Sequence, residues 1–259
     1  MFHFGPAVGC GNCPMNLLHD ITAVILAGGT GTRLRSVVAD RPKVLAPVGG
    51  KPFLAHLLDQ LLEQGVQKVV LCTGYQGEQV QDYFGDSYQG ISLNYSREDR
   101  ALGTGGALLQ ARPLLDSDSV LVLNGDSYCR TDLQASLASH RQRCARATIV
   151  LARVGDGRRY GRVEFAADGR IERFCEKDGA PGAGWINSGI YWFERTALSN
   201  LPRREPLSLE RDVLEGWVGE GLYAYPQSGP FLDIGIPEDY ARAVKFMAEI
   251  HEPISAMSA

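Results

Sequence analysis

A glycine-rich loop set directly on the end of a short apolar run constrains this chain more than any other feature: TAVILA (22–27) runs straight into LAGGTGTRLRS (26–36). A brief apolar run bounded by glycines reads as a strand buried on both faces. Gly28, Gly29 and Gly31 let backbone N–H groups approach a ligand closely, and successive inward amides make a cradle for an anion. Thr30 and Thr32 add hydroxyls, and Arg33 adds a forked cation suited to phosphate. A tight turn alone also accounts for the three glycines. Two better-known phosphate loops do not fit. A Walker loop needs G-x-x-x-x-G-K-[ST], but Gly50-Lys51 is followed by Pro52. A dinucleotide fingerprint needs G-x-G-x-x-G, and after Gly29 and Gly31 the last glycine position holds Leu34. The next strand ends Cys72-Thr73-Gly74, with no acid to hold a ribose.

The remainder alternates in the same way. FLAHLLDQLLEQG (53–65) carries a helical apolar stripe with Gly65 just past its end, QKVVLCT (67–73) is a strand, and GEQVQDYFG (77–85) a short helix. ISLNY (91–95) and SVLVLN (119–124) are strands flanking a helix within 104–115. That order predicts parallel strands with helices on both faces. The second half turns strand-rich: 147–153, 161–165, 170–176 and 186–193, with Asp168-Gly169 as a hairpin turn. A helix over 207–221 follows, with Ser208 as N-cap, then strands 222–226 and 231–235 and a last helix from Pro237 to about Ile250. The reading is one continuous mixed-sheet α/β domain over 21–250, with an N-terminal extension (1–20) and a short tail (251–259).

Lys plus Arg number 26 against 30 Asp plus Glu, and this mild acidity excludes a broad nucleic-acid surface. No run approaches the roughly 18 apolar residues that span a bilayer. The first twenty residues hold no Lys or Arg, so no secretory n-region is read and the expectation is a cytoplasmic protein. Cys10 and Cys13 form a C-x-x-C pair without a second pair or spaced His ligands, and the reading is two free thiols in the extension.

RPKVLAPVGGKPF (41–53) holds Lys43 on a stiff, proline-bounded segment close behind the glycine loop, where it can aim at a bound phosphate. The pair G-G-x-G-T-R-L (28–34) and P-K-x-x-x-P (42–47), in this order, resembles the sugar-phosphate nucleotidyltransferase family, whose members join a nucleoside triphosphate to a sugar 1-phosphate. LGTGGAL (102–108), LNGD (123–126), EK (176–177), NSGIY (187–191) and DIGIPEDY (233–240) extend the likeness over 21–250. The resemblance implies a Rossmann-like, GT-A-like three-layer α/β/α domain with a mostly parallel mixed sheet. It also implies Mg²⁺ held by Asp126 and Asp233, and two partners, a nucleoside triphosphate and a sugar 1-phosphate. Oligomeric state is left open.

The resemblance assigns further roles. The catalytic set is Arg33, Lys43, Asp126, Lys177 and Asp233: Arg33 near the leaving phosphates, Lys43 near the α-phosphate, Lys177 on the incoming sugar phosphate. Leu26, Ala27, Gly28, Gly29, Gly31 and Thr32 join Arg33 and Lys43 around the nucleotide. Gly103 and Thr104 sit by the base, and Glu98 can accept from a guanine edge or be a plain loop carboxylate. Gly125, Tyr160, Gly161, Glu176, Lys177 and Asn187 face the sugar. An attacking phosphate with a second pKa of about 6 needs no general base, and none of the histidines falls in these motifs. The wording around DIGIPEDY is similar to the branch that uses GTP and D-glycero-α-D-manno-heptose 1-phosphate for bacterial surface glycans. Mannose 1-phosphate with GTP, and glucose 1-phosphate with UTP or dTTP, are the neighbouring alternatives. A non-catalytic nucleotide-sugar sensor is the alternative of another kind.

Overall fold

The structure is a computed structural model that describes residues 18–251 apart from 30, 35, 39 and 176–181. Cys10, Cys13, Thr30, Glu176 and Lys177 lie outside the described residues. The chain opens with β1 (Thr22–Leu26), passes the glycine loop and makes a small hairpin, β2 (Pro47–Val48) and β3 (Lys51–Pro52), before α1 (Phe53–Glu63). β4 (Lys68–Thr73), α2 (Gly77–Phe84), β5 (Ser87–Tyr88), β6 (Ile91–Arg97), α3 (Gly103–Ala111) and β7 (Ser119–Asn124) complete the first half. The second half runs β8 (Ser127–Cys129), α4 (Leu133–Gln142), β9 (Ala147–Val154), β10 (Arg162–Phe165), β11 (Ile171–Cys175) and β12 (Gly184–Glu194). α5 (Arg195–Leu198), β13 (Leu222–Gln227), β14 (Phe231–Asp233) and α6 (Pro237–His251) close it.

β1 is the middle of the sheet. It pairs in parallel with β4 on one side and β7 on the other, and β4 pairs in parallel with β6. Its side chains alternate between two cores. Ala23 and Ile25 pack with Leu54, Leu57, Leu58 and Leu61 of α1, while Val24 packs with Ala107, Leu108 and Ala111 of α3. Two helical layers therefore sandwich the parallel strands, as the alternating apolar runs predict. Strand β12 then joins antiparallel to β7, and β9 antiparallel to β12, making the sheet mixed. The α1 stripe ends as its sequence reads: Gly65 takes φ 86° while the Val66 N–H bonds to the Leu61 carbonyl and the Gly65 N–H to that of Leu62, a Schellman closure.

Two elements differ from the sequence reading. The helix expected over 207–221 is a wide π turn, Glu210–Leu214, tightening to a 3-10 turn at Glu215–Trp217. Ser208 still caps it, its hydroxyl accepting from the Arg211 N–H while its own N–H donates to Asp212. Helix α4 carries no clear apolar stripe, because half of its buried positions are polar, Ser136 and His140 beside Leu133 and Leu137. Asp132 caps it, accepting from the Ala135 N–H at 2.8 Å.

His140 is fully enclosed, with Nδ1 2.9 Å from the Thr148 hydroxyl and Nε2 3.2 Å from Glu194 Oε1. Burial, helped by the neighbouring Arg141 charge, pushes its pKa down from 6.5 to about 4. The unfolded chain therefore binds a proton in that interval that the folded chain refuses. Stability is full above the unfolded value and falls as the pH drops from about 6.5 toward 4, by about 3 kcal/mol. Urea midpoints measured at pH 7 and pH 5 should show about 2 kcal/mol of this loss, and a His140→Asn variant should lose less over the same interval.

Candidate active site

The C-terminal ends of β1 and β7 open into two adjoining chambers. One, of about 370 Å³, brings together Leu26, Ala27, Gly28, Gly29 and Gly31 from the glycine loop. Lys43, Glu98, Gly103, Thr104, Gly125 and Asp126 line its other walls. The second, of about 800 Å³, takes Arg33, Tyr160, Gly161, Asn187 and Asp233. Gly103, Thr104, Asn124 and Asp126 belong to both, so the dividing wall is the start of α3 facing the end of β7. Thr32 lines neither; it shares a 3-10 turn with Arg33 and is exposed. Arg33 itself makes no ion pair among the described residues and projects from the second chamber's rim.

The two aspartates come from distant parts of the chain and meet through a separate two-stranded ribbon. Asp126 lies in the turn between β7 and β8, and β14 pairs antiparallel with β8 so that Asp233 stands opposite Ser127. The Ile234 N–H donates to the Asp126 carbonyl at 2.9 Å and locks this register. Burial, and then the Asp126 charge, push the Asp233 carboxyl up to about 6, although Lys43, the Gly235 N–H and Arg33 pull the other way. Burial also opposes the Asp126 charge, but there the Lys43 ammonium and the Ser127 hydroxyl prevail and hold its pKa below the ordinary range. Lys43 Nζ rests 2.5 Å from Asp126 Oδ2. Two carboxyl groups and one ammonium thus share a single electrostatic site.

The predicted nucleotide and sugar residues are braced from behind. Glu98 accepts from the Leu102 N–H at 2.9 Å through Oε2, and its Oε1 lies against Gly28 in the first chamber; burial raises its pKa. Asn187 has both ends of its amide engaged, Nδ2 donating to the Tyr191 hydroxyl at 2.8 Å and Oδ1 accepting from the Gly189 N–H at 3.0 Å. Tyr160 packs edge-on against Phe231 at 5.5 Å, beside the aspartate ribbon. The glycines of LGTGG act in packing. Gly103 takes φ +78°, and a side-chain carbon there would come within 2.5 Å of the Leu207 carbonyl oxygen. That carbonyl accepts from the Gly105 N–H at 2.9 Å, so the chain itself satisfies the first turn of α3.

Sequence reasoning missed Asn124 and Glu210. Asn124 ends β7 on the wall between the chambers, and its Oδ1 is buried without a hydrogen-bond partner among the described residues. β12 makes a bulge around it: Gly189, at φ +80°, leaves the space where a side-chain carbon would lie 2.9 Å from Asn124 Nδ2. Only its position beside Asp126 in LNGD could have drawn attention to it. Glu210 lines the second chamber from the π turn, an element with no sequence signature.

Comparison with known proteins identifies the family. A family model described as nucleotidyl transferase matches residues 22–250. D-glycero-alpha-D-manno-heptose 1-phosphate guanylyltransferase of Aneurinibacillus thermoaerophilus is 40% identical over 224 residues, covering 86% of this chain and 96% of that protein. Mannose-1-phosphate guanylyltransferase of Mycobacterium tuberculosis is 37% identical over 228 residues, and the matched region spans 86% of this chain but only 64% of that longer protein. The crystal structure of HddC from Yersinia pseudotuberculosis superimposes with a TM-score of 0.78 at 34% identity, over 88% of this chain and 99% of that one; HddC is also solved in complex with GMP-PN. With the family match running almost end to end over the domain that carries both chambers, this chain belongs to the nucleotidyl transferase family.

Proposed function

We propose that this chain transfers GMP from GTP to a sugar 1-phosphate, specifically D-glycero-α-D-manno-heptose 1-phosphate, releasing pyrophosphate. A phosphate oxygen of the sugar phosphate attacks the α-phosphorus; a new P–O bond forms as the bond to the β-phosphate bridging oxygen breaks, and pyrophosphate departs with the electron pair. The observation that carries this reading is the aspartate pair, with Asp126 on the wall common to two chambers and Asp233 beside it in the second. Two polyanions that repel each other have to be brought into contact, so positioning and charge neutralisation are the main tasks.

Asp126 and Asp233 suit a hard divalent cation such as Mg²⁺. Among the described residues no cluster of three His, Cys, Asp or Glu side chains gathers, and Mg²⁺ commonly takes one or two carboxylates and completes its shell with phosphate oxygens and water. The burial and mutual repulsion that raise the Asp233 pKa are what a bound cation relieves. When present, the ion supplies charge neutralisation at the phosphates. Lys43 lies beside Asp126 and is assigned to the α-phosphate; Arg33, free at the rim, is assigned to the leaving phosphates. The first chamber takes the nucleotide, with Glu98 toward a guanine edge, and the second takes the sugar, with Tyr160, Gly161 and Asn187 on its wall. Glu176 and Lys177 are assigned by sequence to the sugar and its phosphate. Asn124, with an acceptor lacking a donor, is a further substrate contact.

The choice of heptose follows the 40% identity to a heptose 1-phosphate guanylyltransferase matched along almost its full length. The 37% identity to a mannose-1-phosphate guanylyltransferase makes mannose 1-phosphate the second reading. No helix of the described residues is long and apolar enough to cross a membrane. A GTP-consuming step is placed in the cytoplasm, where GTP is made, and its GDP-heptose product serves bacterial glycan assembly. The test is pyrophosphate release with four nucleoside triphosphates against heptose, mannose and glucose 1-phosphates. The expected maximum is GTP with the heptose; turnover on no pair would overturn the assignment.

A further inference from the structure

Segment 206–214 has no catalytic motif, yet it is stitched to both chambers by a continuous line of hydrogen bonds. The Leu207 N–H donates to the Leu102 carbonyl at 2.8 Å, and the Leu209 N–H donates to the Thr104 hydroxyl at 2.8 Å. That hydroxyl donates in turn to Glu210 Oε2 at 3.0 Å, and Ser208 donates to the same oxygen at 3.3 Å. The other oxygen, Oε1, accepts from the Tyr191 hydroxyl at 3.1 Å. Tyr191 accepts from Asn187 Nδ2 at 2.8 Å, and Asn187 Oδ1 accepts from the Gly189 N–H at 3.0 Å.

Every proton in this line has a fixed direction. Asn187 gives to Tyr191, Tyr191 gives to Glu210, and Thr104 gives to Glu210 from the opposite side. A carboxylate is the one side-chain group of this size that accepts at both ends and donates at neither. Glu210 therefore sets the amide orientation of Asn187, which faces the second chamber, and the hydroxyl orientation of Thr104, which stands on the wall between the chambers. The wide π turn at Glu210–Leu214 sits where the carboxylate reaches both α3 and β12, and π turns recur at functional sites.

We infer that Glu210 is a positioning residue for the sugar 1-phosphate, acting through Tyr191 to hold the Asn187 amide in the one orientation the sugar reads. The inference rests on the proposed transferase reading for the identity of that ligand. Glu210→Gln preserves shape but puts an N–H₂ group against one of the two donor ends. Because Oε2 accepts from both Thr104 and Ser208, the glutamine keeps its carbonyl there and turns its N–H₂ toward Tyr191, which must turn its hydroxyl and release Asn187.

The test is a split of Michaelis constants. In Glu210→Gln the KM for the sugar 1-phosphate should rise about tenfold, corresponding to about 1.4 kcal/mol, while the KM for GTP stays within about twofold. Tyr191→Phe, an isosteric change at a fully buried site, should show the same split and keeps the inference testable if Glu210→Gln does not fold. The double variant should be no worse than either single one, as expected for members of one line. Equal rises in both KM values, or a lowered melting temperature with both KM values unchanged, would reduce Glu210 to a structural brace and overturn the inference. Calorimetric titration of the sugar 1-phosphates and of GTP, each by itself, reads the same split without turnover. A parent chain that binds them but makes no nucleotide sugar refutes the transferase reading, while weaker binding in Glu210→Gln still supports the positioning role.

Discussion

Replacing Asp126 or Asp233 by alanine should lower kcat/KM by about three orders of magnitude, equivalent to about 4 kcal/mol of lost transition-state stabilisation. Each carboxylate is half of the proposed two-residue donor set, so on that reading neither variant keeps a site that can fix a divalent cation in place. Binding of Mn²⁺, followed by electron paramagnetic resonance, should weaken in both variants, which reads the site without turnover. The two should differ in stability. Asp126 balances the partly buried Lys43 ammonium at 2.5 Å, and its removal strands that charge. Asp233 is held with a raised pKa by burial and by its acidic neighbour, so its removal relieves repulsion. Thermal melts of the metal-free proteins should show Asp126→Ala below the parent and Asp233→Ala no lower than it. Retained activity in either variant would show that the cation is held elsewhere.

The second large effect is expected at Gly103, which itself carries no charge. Gly103→Ala places a methyl group 2.5 Å from the Leu207 carbonyl oxygen and forces alanine into φ +78°. Left-handed backbone costs a non-glycine residue about 1–2 kcal/mol, and a clash against backbone adds about 1–3 kcal/mol. The sum, about 3 kcal/mol, corresponds to a melting temperature lower by roughly 6–12 °C for a domain of this size. The same methyl group lifts segment 207–210 off α3. Its hydrogen bonds to Leu102, Thr104 and Gly105 go together, so turnover should fall even at temperatures where the variant remains folded. A melting temperature within 2 °C of the parent, taken as roughly 1 kcal/mol or less, would mean that the seam is looser than described.

The parts of this molecule legible in its sequence are those whose periodicity and burial agree. β1 reads as buried because every residue from Ala23 to Ile25 is apolar and each faces one of two cores. α1 reads as a helix because its leucines fall on one face and Gly65 closes it. α4 is hard to see for the opposite reason. Its buried face includes Ser136, which accepts from Trp192 Nε1 at 2.9 Å, and His140, which is satisfied by Thr148 and Glu194; these partners come from distant strands, and the apolar spacing does not record them. The π turn leaves no pattern, since its register depends on where α3 and β12 lie.

The site divides along the same line. The glycine loop and Lys43 are visible as motifs because backbone geometry ties their neighbours to them. Asp126 and Asp233 are visible only through a family likeness, because nothing in their spacing foretells that β14 lies on β8. Asn124 and Glu210 escape notice because their importance is a property of contacts. One is an amide left without a donor, and the other a carboxylate shared between two elements.

The ribbon of β8 and β14 also bears on how the protein is made. β14, which carries Asp233, lies C-terminal to every other described strand. The parallel half of the sheet can collapse during translation before the two aspartates are brought together, since pairing of sequence-distant strands carries a large loop-closure cost and comes late. A nascent chain released before residue 231 would therefore be a folded but chemically silent body. Competence arrives in one closing event, when β14 reaches β8.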